Sequence, residues 1–140
     1  MSINFVYNTD FELPNKDLVS DWVLRVADSH GCKVGEIVYA FFNDEDLKEL
    51  NVRFLKRDYY TDVISFDETT YQVVSGNIAI SVDRVKENAI QNGVDFEGEL
   101  RRVMIHGVLH FIGFNDKTSV EKKEIRKQEA LALSMFHVKQ

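Results

Sequence analysis

Cysteine and proline each occur once in these 140 residues, as Cys32 and Pro14, and so does tryptophan. A lone cysteine allows no internal disulfide and no thiolate-rich structural zinc site, and it fits a reducing compartment. No segment approaches the roughly 18 consecutive apolar residues that a membrane span needs, so no membrane partner is expected. The start, Met-Ser-Ile-Asn-Phe-Val-Tyr-Asn-Thr-Asp, lacks the basic flank and apolar stretch of an export signal. A cytoplasmic protein is expected. Positive charge is also scarce: 17 Lys and Arg stand against 23 Asp and Glu, a formal net charge of −6. That disfavours indiscriminate binding to nucleic acid while leaving room for a local basic patch.

What remains is enough for a core. With 44% hydrophobic residues, one globular domain over residues 1–140 is expected, and no repeat, low-complexity run or linker divides it. Ile3 to Tyr7 reads as a first strand, followed by a loop containing Pro14. Asn15 is placed to cap a helix from Lys16 to His30, whose Leu18, Val19, Trp22, Val23 and Val26 recur at three and four. Ile37 to Phe42 reads as a buried strand, and Asn43 as the cap of a short helix to about Phe54 with an acidic first turn. Val63 to Phe66 and Ile78 to Val82 read as strands, with a loop or hairpin turn up to Gly76 between them. Three helices complete the chain, Asp83 to Asn92, Glu97 to Ile112 and Thr118 to about Phe136, the last opened by the capping box Thr-Ser-Val-Glu.

The middle of these three carries the chemistry. It is apolar around most of its circumference, which predicts a central, buried helix, and its one polar stripe is Arg102, His106 and His110. Two histidines four apart lie one above the other on a helix face, so both imidazoles reach one ion. Gly113 then ends the helix, and Asp116 is placed to swing back as a third ligand. Two imidazoles and a carboxylate leave a tetrahedral zinc one position short, the arrangement of catalytic rather than structural sites. The plainer reading, a pair of core histidines bonded to carbonyls, accounts for neither the glycine nor the acid that follow. His30, before Gly31, reads as a helix-terminal charge and His137 as a tail residue.

The run His106-Gly107-Val108-Leu109-His110-Phe111-Ile112-Gly113, preceded by Val103-Met104-Ile105, resembles the signature of the YbeY family of bacterial rRNA maturation endoribonucleases. Two more blocks agree in order: Leu50-Asn51 leading to Thr61-Asp62-Val63-Ile64-Ser65-Phe66, and Gly76-Asn77-Ile78-Ala79-Ile80-Ser81. The likeness runs from about residue 45 to 120. It implies a small α+β fold, with a mixed sheet of about four strands covered by about five helices and a metal site at the end of a central helix. It further implies one zinc, or another divalent transition metal, held by His106, His110 and Asp116. The implied activity is cleavage of single-stranded RNA in late ribosome maturation, at the 3′ end of the small-subunit (16S) rRNA, with a part in ribosome quality control. The implied partners are the small ribosomal subunit and a ribosomal protein or GTPase.

Two departures from the family pattern stand out. Most members have histidine where this chain has Asp116, and many carry an arginine where it has Leu55, with Lys56 and Arg57 just beyond. Carboxylate is an ordinary zinc ligand, and Lys56 or Arg57 is expected to take over any phosphate contact, with Arg102 a further substrate-binding candidate. Asp62 and Asp67 are candidate bases, while Ser65 reads as half-buried strand. The cluster Lys117, Lys122, Lys123, Arg126 and Lys127, interleaved with Glu121, Glu124 and Glu129, reads as a solvated helix face. Two other functions compete: a metzincin-like metalloprotease, whose glutamate base would stand where Gly107 is, and a non-catalytic ribosome-associated factor.

Overall fold

The computed structural model describes residues 2–136; the expectation for His137 lies outside them. Nine elements follow one another: β1 (Ser2–Tyr7), α1 (Lys16–Ser29), β2 (Lys33–Phe42), α2 (Asp44–Leu55), β3 (Val63–Asp67), β4 (Val73–Ser81), α3 (Val82–Asn92), α4 (Phe96–Ile112) and α5 (Ser119–Phe136). The strands form one mixed sheet in the order β1-β2-β4-β3. β1 and β4 flank β2 in parallel, which the long crossovers through α1 and through α2 and β3 permit. β3 closes the other edge antiparallel to β4. The α+β architecture of four strands and five helices is the one expected.

Alternation in the central strands divides the molecule into two layers of core. Ile37, Tyr39 and Phe41 of β2 and Ile78 and Ile80 of β4 are fully buried on one sheet face, packed with Trp22, Val23 and Val26 of α1 and with α4. On the opposite face Ile64 and Ala79 meet Leu47 of α2 in a second, smaller cluster. α4 is central as expected: Leu100, Val103, Met104, Ile105, Val108, Leu109 and Phe111 are all buried. Each such side chain is worth roughly 1.5–3 kcal/mol on removal from water. Two hydrogen bonds fix how the helices sit. Tyr39 Oη donates to the Met104 carbonyl at 3.1 Å, and Trp22 Nε1 donates to the Ala132 carbonyl at 2.7 Å, tying α1 to α5.

Caps account for most helix starts. Asn43 Oδ1 accepts the Asp46 N–H and Ser81 Oγ accepts the Arg84 N–H, while Thr118 and Glu121 exchange the reciprocal bonds of a capping box. Asn15 departs from expectation: it precedes α1 in the left-handed conformation, φ 58°, and its side chain makes no capping bond. Asparagine tolerates that backbone, so it serves as a turn residue there.

Two strands begin earlier than the sequence suggests. β2 starts at Lys33 rather than Ile37, because a register shift between Val34 and Ile37 breaks the alternation; there the Ser75 hydroxyl accepts the Glu36 N–H. β4 starts at Val73 rather than Ile78, and the hairpin turn lies before it, where Asp67 Oδ1 accepts the Thr69 N–H. Gly76 is thus a strand residue, needed for close approach: a Cβ there would lie 2.3 Å from the Phe66 carbonyl and 2.6 Å from the Phe111 ring.

Candidate metal centre

The last two turns of α4 and the four residues after it build the site. Gly113 caps the helix at φ 128° with its N–H shared between the Leu109 and His110 carbonyls, and the Phe114 N–H also returns to Leu109. The chain therefore folds back over the helix end, and the Phe114 ring meets the edge of His30, 5.5 Å between centroids. His30 thus packs against the return loop, away from the ligand set. Asp116 comes to rest beside the histidine stripe.

Three donor atoms converge. His106 Nε2 lies 2.9 Å from His110 Nε2, and Asp116 Oδ2 lies 3.4 Å from the first and 3.5 Å from the second. A tetrahedral zinc with bonds of about 2.0–2.2 Å holds its donors roughly 3.3–3.6 Å apart. Two of the three separations match that spacing and the imidazole pair is slightly tighter, so this set could hold a metal ion. The site opens outward: side-chain exposure rises from 17% at His106 through 28% at His110 to 43% at Asp116. A fourth position would face solvent, which suits exchange of water for substrate.

Beneath the histidines lies a charged network that sequence reasoning missed. His106 Nδ1 meets Glu129 Oε2 of α5 at 2.5 Å. Glu129 Oε1 accepts from Arg102 Nη1 at 3.2 Å, and Arg102 Nε and Nη2 both donate to the Glu99 carboxylate, at 3.2 and 2.8 Å. Both glutamates are buried, each 3% exposed, so Glu129 does not belong to the solvated face of α5 where the sequence put it. The available signal was its place in the stripe Ile125, Glu129 and Ala132, the three buried positions of α5. Burial alone would raise the Glu129 carboxyl pKa, but the His106 hydrogen bond and the Arg102 charge outweigh it and hold the group below its ordinary value. The same pairing raises Arg102, chiefly through its bond to Glu99.

Arg102 shares the histidine stripe, and its guanidinium bonds Glu99 and Glu129. Asp62 Oδ2 stands 4.0 Å from Arg102 and accepts from Asn88 at 3.4 Å. That places the start of β3 beside the stripe. Asp67 serves the hairpin turn, and Ser65 is half-buried strand facing Gly107. Lys56 and Arg57 are exposed where α2 ends, with Lys56 left-handed at φ 58° and both backbone N–H groups bonded to the Asn51 carbonyl. Arg101, one residue from Arg102, points elsewhere, over the Phe136 ring at 4.3 Å. Lys122, Lys123, Arg126 and Lys127 are exposed along α5 as the solvated face they were expected to be. Among the described residues no helix is long and apolar enough to cross a membrane.

The family model described as Endoribonuclease YbeY matches residues 6–137. Proteins named Endoribonuclease YbeY from Flavobacterium johnsoniae and Flavobacterium psychrophilum are 44% and 45% identical, each alignment covering 99% of both chains. Another of that name, from Parabacteroides distasonis, is 42% identical over 93% of each. Among solved structures, the solution structure of TM1509 from Thermotoga maritima superposes with a TM-score of 0.69 at 25% identity, covering 96% of this chain and 89% of that one.

Proposed function

The chain belongs to the YbeY endoribonuclease family, and on that footing we propose that it is a zinc-dependent endoribonuclease that cuts single-stranded RNA. Its task is late maturation of the small ribosomal subunit in the cytoplasm, at the 3′ end of the 16S rRNA, with a part in ribosome quality control and a ribosomal protein or GTPase as partner. One observation carries the reading: two imidazole nitrogens and a carboxylate oxygen stand within 3.5 Å of one another at an exposed helix end. When bound there, zinc supplies Lewis acidity, lowering the pKa of water and stabilising charge on a phosphoryl oxygen. His106, His110 and Asp116 hold it. Lys56 and Arg57, exposed at the end of α2, meet the RNA backbone, whose recognition depends on cations.

The protease alternative needs a glutamate directly after the first histidine. Gly107 holds that place, and a Cβ there would lie 2.8 Å from Ile78 Cδ1 and 3.1 Å from Ser65 Oγ. The sheet fills the room that a proton-accepting side chain would need.

The test measures bound zinc and cleavage of a single-stranded RNA carrying the 16S 3′ precursor segment, for the native protein and for His110→Ala, with a casein digest alongside. The native protein is expected to hold one zinc and cut RNA, and the variant to do neither. Zinc retained by His110→Ala would remove the site. Casein cleavage without RNA cleavage would move the chain to the proteases.

A further inference from the structure

We propose that Glu129 is a positioning residue for this centre: it accepts a hydrogen bond from the His106 Nδ1–H and so aims the Nε2 lone pair at the space shared with His110 and Asp116, while Arg102 and Glu99 hold Glu129 in place. The proposal rests on the metal-binding reading above and adds to it a residue that does not touch the ion.

A neutral imidazole carries one proton, and the nitrogen that keeps it is chosen by the hydrogen bond it can make. His106 has two unlike surroundings. Its Nδ1 faces the buried carboxylate of Glu129 at 2.5 Å, whereas its Nε2 faces His110 Nε2 at 2.9 Å and Asp116 Oδ2 at 3.4 Å. An ionised carboxylate only accepts, so the proton belongs on Nδ1 and the lone pair on Nε2, the form a ligand must have. Each oxygen of Glu129 has a separate partner, Oε2 the imidazole and Oε1 the Arg102 guanidinium. An ion pair serving only to join α5 to α4 would be complete with Arg102 alone. The bond to His106 therefore has its own work, and Arg102, held at two further nitrogens by Glu99, stops the carboxylate from turning away.

The experiment compares the native chain with Glu129→Gln and Glu129→Ala. Nitrogen NMR of the metal-free proteins, well above the ordinary histidine pKa, reads the His106 tautomer. Competition with a chromophoric chelator reads zinc affinity. The native protein is expected to show His106 protonated at Nδ1. Zinc affinity should fall about 10–100-fold in Glu129→Ala and less in Glu129→Gln, whose carbonyl oxygen still accepts. Should Glu129→Ala not fold, the native tautomer decides. A native His106 protonated at Nε2, or a folded Glu129→Ala with unchanged tautomer and unchanged zinc affinity, overturns the proposal. If the native chain bound no zinc, the metal reading would fall, while the metal-free tautomer would still judge the role of Glu129.

Discussion

Asp116 and Gly107 set the character of the site one side chain at a time. Asp116 brings a negative charge into the ligand set, and that charge should soften the ion's pull on water. Asp116→His is therefore expected to keep zinc and to hydrolyse RNA at an equal or greater rate; loss of zinc would show that the return loop after Gly113 fits only the shorter carboxylate. Gly107 acts through what it leaves out. Its Cβ would press on Ile78 at 2.8 Å, so Gly107→Ala should cost about 1–3 kcal/mol, as other overpacked cores do, read as a lower denaturant midpoint. An unchanged midpoint would mean that the Ile78 side chain yields freely. At this scale the sequence was legible where chemistry is local: paired histidines, glycine and acid lie within two turns and a short loop. It misplaced Glu129, which reaches His106 across 23 positions. A glutamate among lysines on α5 looks solvated until the packing of α5 on α4 is known.

Elements were legible in proportion to how far their signals lie within themselves. Asn43 and the Thr118–Glu121 pair bond to the backbone a few residues on, and α2 and α5 begin there. The starts of β2 and β4 were not legible, because a register shift and a close-packed glycine are properties of the pair of strands rather than of either one. The capping box makes its own predictions. Thr118→Ala should cost about 1 kcal/mol, seen as lost amide protection in the first turn of α5. Glu121 offers a second readout. The Thr118 N–H, more than any other group, draws its carboxyl pKa below the ordinary 4.5. Because the folded value is the lower one, the stabilisation is complete above the unfolded value and disappears as pH falls through the folded one. Carbon NMR of the Glu121 carboxyl should accordingly show a midpoint below 4.5 in the native protein, moving only part of the way back in Thr118→Ala, which loses the hydroxyl but keeps the backbone N–H. A native midpoint at or above the ordinary value would mean that the box does not persist in solution.

For the whole molecule the question is whether metal builds the fold or only uses it. The ligands sit at the rim, while the main core of Trp22, Ile37, Tyr39, Phe41, Ile78, Met104 and Leu109 is fully buried without them. Nor does the sheet depend on the site: β1, β2 and β4 are joined by their own ladders, and α4 is fastened to β2 through Tyr39. Chelation should therefore leave the far-ultraviolet circular dichroism and a cooperative melt intact. It should remove only what linkage supplies, about 2.7 kcal/mol when free zinc stands at a hundredfold excess over Kd. For a chain of this length that is a fall in Tm of roughly ten degrees, reversed by restoring zinc in proportion to the logarithm of its concentration. RNA cleavage should vanish in the same titration while the fold persists. Collapse of the dichroism on chelation would instead assign the three ligands a structural part, as in domains that fold only with their metal, and would favour the non-catalytic binding factor over the nuclease.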